Sequence, residues 1–322
     1  MVQCRTEEDV STPPRFGLFM PQEKADPGPL RELAQTAERC GYHSLWVYDH
    51  LFHYPTPSNR VVLEAFTTMS LLAGWTQTIR IGALVLCDGY RNPALTAKMA
   101  ATLDALSGGR LEFGYGSGWH EAEYRGYGYD FPPPATRIAM MEEALTIITK
   151  LWQGGPASFD GKHYRIADAV CEPPPMQQPR PPITIGGGGE KLLLRAVARH
   201  ADIWNYFPGP LPEYERKLGV LHDHCRRLGR DPATMQQSLL VPVVTARREK
   251  DVRDQLEAAQ QRGAMWAQGD ACVQGTPDIV VPRLRDYVRR GVSMFILALP
   301  DPFDLKSVEF IANEVIAELS SA

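Results

Sequence analysis

The sequence predicts an α/β fold built as a closed (β/α)8 barrel, and the order of its apolar segments is the reason. Short apolar or β-branched segments alternate with longer segments of helical period, which gives eight strand-then-helix units along the chain. Each connection is long enough to return the chain to a parallel neighbouring strand. Eight such units in a row favour a closed TIM barrel over an open, doubly wound sheet.

The predicted elements follow one another with clear boundaries. Strands are expected over residues 16–20, 44–48, 79–85, 111–115, 183–186, 203–206, 239–244 and 294–299. Helices are expected over residues 30–37, 63–75, 94–106, 138–152, 191–199, 213–228, 252–260, 279–289 and 308–319. Gly41 stands where the first helix should end, and Pro93 stands where the third should begin.

Two segments exceed the needs of a minimal barrel, and we expect them at its C-terminal face. Residues 153–181 contain a predicted hairpin at 159–162, and a proline-rich strap follows over 172–182. Residues 263–275 form a second irregular insertion. Insertions of this length usually cover an active-site mouth or build an oligomer contact. Residues 1–14 lack the apolar segment of a signal peptide, so we interpret them as a flexible tail. One barrel domain is expected over 15–322.

Composition excludes several classes of protein. With 322 residues, 44% hydrophobic and 22% charged, the chain has the composition of a globular protein. A net charge of −4 offers no basic excess for nucleic acid. Its longest apolar runs are shorter than the ~20 residues of a membrane helix, so no membrane partner is expected. Six scattered cysteines without a C-x-x-C pair indicate a reducing, cytoplasmic location.

A run of four glycines, residues 186–189, separates the fifth predicted strand from a helix. Glycine lets backbone amides approach an anion closely, and a helix N-terminus adds partial positive charge. Gly187, Gly188, Gly189 and Glu190 are therefore candidate cofactor-binding residues, with a phosphate as the expected ligand. The alternative is a tight turn without a ligand, and a P-loop is excluded because Gly-Lys-Ser/Thr is missing.

The ends of the third and fourth predicted strands offer further cofactor contacts. Gly116, Ser117 and Gly118 superficially resemble a dinucleotide fingerprint, but the spacing is wrong and no acidic residue ends a matching second strand. We expect these glycines to let a flat ring system lie against the fourth strand. Cys87 follows the third strand and is predicted to line the same pocket, with a nucleophilic role as the alternative.

Candidate acid–base residues also follow strands. Asp49 and His50 end the second predicted strand, while His120 and Glu121 follow the fourth. These four are the predicted catalytic residues, because imidazole titrates near neutral pH and a carboxylate can assist it. Adding His53 gives D-H-x-x-H, which leaves a metal-dependent hydrolase at Asp49, His50 and His53 as an alternative. No further ligand cluster follows, so we predict no metal site.

Several segments together resemble one family. They are residues 15–19, 41–50, 80–82, 90–93, 104–118, 159–164 and 182–189. They are similar to the luciferase-like monooxygenase superfamily, and most similar to its branch dependent on the deazaflavin coenzyme F420. That resemblance implies a (β/α)8 barrel, usually a homodimer, with the cofactor ring in the barrel mouth.

The resemblance also assigns individual positions. Asp49 and His50 fall where the family has cofactor and catalytic contacts, and in sugar-phosphate dehydrogenase relatives this histidine is the proposed base. Trp119 and Phe207 depart from the sugar-phosphate branch, which has polar residues there, so an apolar substrate is favoured. The remaining implied cofactor contacts are Leu84 and Val85, at a non-prolyl cis peptide in relatives, Ser117 and Gly118 at the ring edge, and Gly187, Gly188 and Gly189 at the phosphate.

Hydride transfer between F420 and a small organic substrate is the leading hypothesis. His50 would move the proton, assisted by Asp49, His120 or Glu121, and the cofactor would supply the hydride chemistry. One alternative is an FMN-dependent monooxygenase that receives reduced flavin from a partner reductase and activates O2. Another is a flavin-binding barrel without catalytic activity.

Overall fold

A computed structural model describes residues 13–53, 60–261, 271–300 and 304–321 of the chain. The predicted tail, apart from residues 13 and 14, lies outside the described residues, and so does most of the predicted insertion at 263–275. Within the described ranges, no helix combines the length and the apolar character that a membrane crossing requires.

Twelve strands are numbered β1 to β12 in chain order. They are β1 (Arg15–Phe19), β2 (Ser44–Val47), β3 (Arg80–Ala83), β4 (Leu86–Cys87), β5 (Leu111–Gly116), β6 (Ala157–Asp160), β7 (Arg165–Ala169), β8 (Ile183–Gly186), β9 (Ile203–Tyr206), β10 (Gln236–Thr245), β11 (Val273–Gly275) and β12 (Val292–Ala298).

A short π-helical turn over Ala312–Ile316 joins the last two helices. The α-helices of the described residues, eleven in all, are numbered in the same way. They are α1 (Pro27–Arg39), α2 (Ala65–Trp75), α3 (Pro93–Leu106), α4 (Glu121–Gly126), α5 (Pro134–Trp152), α6 (Leu193–His200), α7 (Leu211–Arg227), α8 (Glu249–Gln261), α9 (Pro277–Val288), α10 (Leu305–Ile311) and α11 (Ala317–Ser320).

Eight of the strands close into a parallel ring in the order β1, β2, β3, β5, β8, β9, β10 and β12, with β12 pairing back to β1. The predicted (β/α)8 barrel is therefore confirmed, and each predicted strand has an observed counterpart. The third predicted strand is divided, because the chain shifts after β3 and resumes as β4 against β5. Strand β11 lies outside the ring and pairs with the end of β10.

Apolar side chains fill the barrel in two layers. The main core lies between strands and helices, where residues such as Leu18, Leu45 and Phe113 are completely buried. A separate cluster of Trp46, Met294 and Ile296 collects side chains from β2 and β12, as expected for residues that point into the barrel interior. This packed interior leaves the rim of the barrel, rather than its centre, for a ligand.

The insertion between α5 and β8 contains the predicted hairpin, formed by β6 and β7. Glu143 on α5 fixes its turn by accepting hydrogen bonds from the amides of Lys162, His163 and Tyr164 at 2.8–3.1 Å. The side chain of Tyr164 then reaches the Asp88 carboxylate at 3.0 Å. The hairpin is thereby placed beside the segment that follows β4.

Helix α4 was not predicted, because the sequence indicated only a long loop after the fourth strand. Its six residues are too few for a helical period to be visible. The helix starts directly after His120 and places Glu123 in the protein interior with no exposed area. This unpredicted turn of helix determines the composition of the site.

Candidate active site

The candidate site lies on the C-terminal rim of the barrel. Because the ring strands are parallel, all of them end on this side. Asp49 and His50 follow β2, and the glycine turn at 186–189 follows β8. The predicted catalytic pair and the predicted phosphate-binding turn are therefore on one rim.

Asp49 forms a buried ion pair with Arg91. Its two carboxylate oxygens accept hydrogen bonds from the guanidinium at 2.7 and 2.8 Å, and the Cys87 amide donates a third at 2.8 Å. Burial raises the pKa of Asp49, while the Arg91 guanidinium opposes this and favours the carboxylate. Asp49 therefore joins the end of β2 to the segment after β4 and positions the neighbouring His50, rather than donating a proton itself.

His50 belongs to a cluster built around Glu123. Glu123 Oε2 lies 2.9 Å from Nδ1 of His50 and 3.2 Å from Nδ1 of His120. The same oxygen accepts the Tyr90 hydroxyl at 2.8 Å, and Oε1 accepts the Leu51 amide at 2.6 Å. The Glu123 side chain is 1% exposed whereas that of His50 is 25% exposed. A buried carboxylate thus orients an imidazole that solvent or a ligand can reach.

The charge of Glu123 follows from these partners. Burial opposes its ionisation, but the hydrogen bond and charge of His50, with the Tyr90 hydroxyl and the Leu51 amide, lower the pKa of Glu123 to about 2. An ionised carboxylate at Nδ1 of His50 fixes the orientation of the ring. The pair is therefore suited to give and take a proton, with Glu123 holding the ring as the third member of a catalytic triad does.

The structure does not bring all four predicted catalytic residues together. His50 and His120 join the cluster, but Glu121 lies on the outer side of α4, where its half-exposed carboxylate pairs with Arg125 at 2.5 Å. Glu123, which the sequence analysis missed, takes the interior position. The i, i+3 spacing from His120 could have indicated it, had the helix been recognised.

The alternative metal site is not assembled. Among the described residues, the ligating atoms that lie within 4.8 Å of one another belong to His50, His120 and Glu123. Asp49 is held by a guanidinium instead, and His53 is not part of this group. Two histidines and a glutamate are a set that zinc accepts, but the hydrogen bonds described above account for the short distances here.

The end of the third strand has the geometry that the family resemblance implies. The peptide bond between Leu84 and Val85 is cis. A Cβ added to Gly116 would lie 2.6 Å from Cγ2 of Val85, and one added to Gly118 would collide with the Tyr124 hydroxyl. These glycines are therefore required by protein groups that approach them, and not only by a flat ligand as expected from the sequence.

Cys87 is enclosed beside this segment. Its Sγ lies 3.1 Å from the Tyr124 hydroxyl, and the residue is 8% exposed. Burial raises the pKa of the Cys87 thiol to about 12, so it stays protonated at neutral pH. The nucleophilic alternative therefore has no support. Ser117, the predicted ring-edge contact, is half-buried, and its carbonyl accepts the same hydroxyl at 3.5 Å.

The glycine turn is anchored from outside the barrel. The carbonyl of Gly187, whose φ is +116°, accepts the Trp204 indole at 2.8 Å, and the carbonyl of Gly188 accepts Nζ of Lys217 at 2.8 Å. A Cβ added to Gly186 would meet nothing nearer than 3.8 Å, and one added to Gly189 nothing nearer than 3.4 Å. The turn is thus fixed by its carbonyls, and the amide of Gly187 donates to the carbonyl of Asn205 at 3.0 Å. A Cβ at Gly186 or Gly189 would make only ordinary van der Waals contact.

Glu190 differs from the other candidate cofactor residues. Its carboxylate lies 2.6 Å from Arg216 and 3.1 Å from Lys217, both on α7. The side chain is therefore directed to a surface ion pair, where it neutralises the two cations nearest to the turn.

Aromatic rings surround His50. Trp119, which is 58% exposed, stacks on His120 with ring centroids 5.1 Å apart and meets His50 edge-on at 5.7 Å. Tyr48 lies 5.6 Å from His50, and Phe52 lies 5.5 Å from His120. The approach to the acid–base cluster is consequently apolar and aromatic.

A closed parallel barrel with an acid–base cluster and a glycine turn on its C-terminal rim defines an α/β-barrel enzyme. The family model described as luciferase-like monooxygenase matches residues 7–271, and the chain belongs to this family. The predicted family is thereby confirmed.

Relatives with curated names are oxidoreductases by those names, which is the class predicted from the sequence. A phthiodiolone/phenolphthiodiolone dimycocerosates ketoreductase of Mycobacterium sp. (strain JLS) is 32% identical over 258 residues, covering 71% of this chain and 66% of the relative. The chain thus spans slightly less than two thirds of that relative. An F420-dependent glucose-6-phosphate dehydrogenase of Microbacterium testaceum is 26% identical, covering 96% of this chain and 98% of the relative.

Solved structures share the fold at lower identity. The F420-dependent tetrahydromethanopterin reductase of Methanopyrus kandleri superimposes with a TM-score of 0.79 at 20% identity, covering 96% of this chain and 100% of the other. An F420-dependent secondary alcohol dehydrogenase gives 0.80 at 20% identity, covering 95% and 99%. A long-chain alkane monooxygenase gives 0.81 at 15% identity, covering 97% and 92%. At these identities the comparison establishes the barrel architecture alone.

The carboxylate of Glu123 should carry a measurable share of stability above acid pH. Its pKa is lowered from 4.5 to about 2, so its contribution is complete above pH 4.5 and is lost as the pH falls towards 2. We expect Glu123→Gln to lower the free energy of unfolding by about 1–3 kcal/mol at pH 7. The difference from the parent protein should shrink between pH 4.5 and the most acidic pH at which both remain folded.

Thermal and urea unfolding across this pH range would test the expectation, with Glu121→Gln as the matched control on the same helix. Glu121→Gln should change the free energy of unfolding by less than about 0.5 kcal/mol at every pH. A pH-independent loss for Glu123→Gln, or an equal loss for both variants, would show that the ionised carboxylate does not hold the cluster.

Proposed function

We propose that this protein is an F420-dependent oxidoreductase that interconverts a carbonyl and an alcohol in an apolar organic molecule. The observation that carries this proposal is the solvent-accessible His50 held by the buried, ionised Glu123 on the barrel rim. The F420-dependent name of the relative aligned over 96% of this chain supports the choice of cofactor.

The chain offers residues that fit such a cofactor. When bound, F420 supplies or accepts a hydride. The amides of Gly188 and Gly189 would hold its phosphate, since a glycine-rich strand-to-helix turn suits an anion. The amide of Gly187, which was also predicted to bind it, instead donates to the carbonyl of Asn205 at 3.0 Å.

His50 would move the proton that accompanies the hydride. In the reducing direction the carbonyl carbon gains a hydride and its oxygen gains a proton, which leaves the alcohol. With Nδ1 of His50 against Glu123, Nε2 is the atom we assign to this transfer. The Glu123 carboxylate fixes the orientation of the ring, as general acid–base catalysis requires.

The substrate class follows from the rim of the site. Trp119 and Phe207 are exposed by 58% and 52%, and they replace the polar residues expected for a sugar phosphate. Large exposed aromatic rings bind apolar groups and leave a phosphate unsatisfied. The ketoreductase name of the mycobacterial relative supports a ketone as the reducible group.

We also propose a homodimer formed through α2 and α3, which pack against each other. Helix α2 contains no charged residue, although part of it faces solvent. Leu71, Leu95 and Leu106 of these two helices are exposed by 42%, 52% and 83%. Exposed leucines on two neighbouring helices are typical of a protein–protein contact.

Titration with F420 and FMN side by side tests the cofactor. We expect quenching of F420 fluorescence at micromolar protein and weaker binding of FMN. Gly188→Ala should weaken F420 binding at least tenfold, because its Cβ would collide with Tyr206 and distort the turn. Gly219→Ala is the matched control, since a Cβ there meets nothing within 4 Å. Preferential FMN binding would support the monooxygenase alternative, and binding of neither would contradict the proposal.

His50→Ala tests the proton transfer. Turnover of reduced F420 with medium-chain methyl ketones should fall by about 10²–10⁴, the range for a general acid–base residue, while cofactor affinity changes less than about tenfold. His222→Ala on α7 serves as the control and should retain the parent rate. An unchanged rate for His50→Ala would remove this residue from the mechanism.

Light scattering tests the dimer. The parent protein should have twice the mass of one chain, and the double variant Leu95→Glu with Leu106→Glu should be monomeric, because charges buried without partners oppose association. Leu228→Glu, at another partly exposed leucine, should leave the dimer intact. A monomeric parent protein, or dissociation by Leu228→Glu, would contradict the assignment of this face.

A further inference from the structure

A cavity of about 270 Å³ lies outside the barrel ring, between the segment after β4 and helix α5. Residues from four parts of the chain line it, among them Asp88, Tyr90, Tyr129, Arg137 and Tyr164. The volume is just below the roughly 300 Å³ at which pockets for drug-sized ligands begin. A ligand here would therefore be a small molecule.

Arg137 on α5 is the unusual member of the lining. It is 8% exposed, and no carboxylate among the described residues pairs with it. Its Cζ lies 4.0 Å from the centroid of the Phe131 ring, which offsets part of the charge. Nε donates to the carbonyl of Gly118 at 3.2 Å and Nη1 donates to that of Pro132, while Nη2 donates to no described acceptor. A buried cation without a counter-ion is costly unless something else compensates its charge.

Another buried arginine shows what a purely structural arrangement looks like. Arg110 is 9% exposed and also lacks a carboxylate partner among the described residues, but all three of its guanidinium nitrogens donate. Its acceptors are the hydroxyl of Thr76 and carbonyls of four residues: Ser107, Ile79, Ala73 and Thr76. Arg110 is not among the residues that line this cavity. Arg137 thus differs in having both an incomplete hydrogen-bond set and a cavity beside it.

The other walls define the body of the ligand. Tyr90 and Tyr129 stack with centroids 5.6 Å apart, and Tyr124 packs on Tyr90 at 5.1 Å with its ring tilted by 55°, which gives an aromatic wall. Both oxygens of Asp88 already accept hydroxyls, from Tyr115 at 2.8 Å and Tyr164 at 3.0 Å. Asp88 is therefore satisfied within the protein, and Arg137 remains as the cation to be neutralised.

We propose that this cavity is a second ligand site, which binds a small planar organic carboxylate with its anion on Arg137 and its ring against the tyrosine wall. Guanidinium and carboxylate match in charge and in planar geometry. The proposed ligand takes no part in the proposed reaction. The two sites adjoin through the Tyr90 hydroxyl on Glu123, and through Arg91 and Ser117, which belong to the rim and also line the cavity.

Benzoate is the probe, and benzylamine is its counterpart with the opposite charge. Isothermal titration of the full-length protein should show benzoate binding at one site, with benzylamine at least tenfold weaker. Arg137→Gln should weaken benzoate binding at least tenfold, Arg137→Lys should retain part of the affinity, and the exposed Arg125→Gln should leave it unchanged. A crystal soaked with para-bromobenzoate should show anomalous bromine signal between Arg137 and the tyrosine wall.

Met140→Trp keeps the test decisive if Arg137→Gln fails to fold. Met140 lines the same cavity, and a larger ring there should abolish benzoate binding while F420 binding persists. Binding of neither probe by the folded parent protein, equal binding of both probes, or bromine located elsewhere would overturn the proposal. Failure of F420 to bind would instead concern the barrel-rim site alone.

Discussion

The closed ring of parallel strands is the constraint from which the other features of this molecule follow. It brings eight strand ends to one rim and fills the space beneath them with Trp46, Met294 and Ile296. Any polar group that follows a strand therefore emerges above an apolar floor, where water is scarce and hydrogen bonds must be supplied by the protein. The partners of Asp49 and Glu123 meet that requirement.

Each of these carboxylates is buried with a set of donors that matches its charge. Asp49 has a bidentate arginine and a backbone amide, while Glu123 has the His50 imidazole, a hydroxyl and a backbone amide. Removing one donor from such a group leaves the charge undercompensated, which is far more costly than the net worth of a single hydrogen bond. His50 is therefore held from both sides, by the backbone that Asp49 fixes and by the ring contact with Glu123.

Sequence pattern was sufficient for the barrel and insufficient for the centre of the site. The strand order depends on local periodicity, which a single sequence displays, and the hairpin at β6 and β7 depends on a turn around Gly161. The buried placement of Glu123 depends on a helix of six residues whose position is set by tertiary contacts. From the sequence alone, the nearby Glu121 was therefore an equally reasonable choice of catalytic carboxylate. Glu190 was predicted from its place after the glycines, but two cations on α7 determine where its side chain lies.

The same reasoning explains why some glycines were interpreted incompletely. In sequence, a strand ending in alternating glycines is compatible with a ligand or with an approaching protein segment. The structure shows the second case at Gly114 and Gly116, where Ala83 and Val85 approach the backbone too closely for a Cβ. Such an approach joins residues about 30 positions apart, and no local pattern records it.

The aromatic rings around His50 and the buried carboxylate of Glu123 meet two separate requirements of the proposed hydride transfer. In the proposed reaction the hydride passes directly between cofactor and substrate, which the exclusion of water favours, while the accompanying proton needs a polar carrier. Aromatic rings cover much of His50, whose side chain keeps 25% of its area exposed, and Glu123 holds the ring from the interior side. The polar partner of His50 is thus placed away from the ligand side, which leaves that side aromatic.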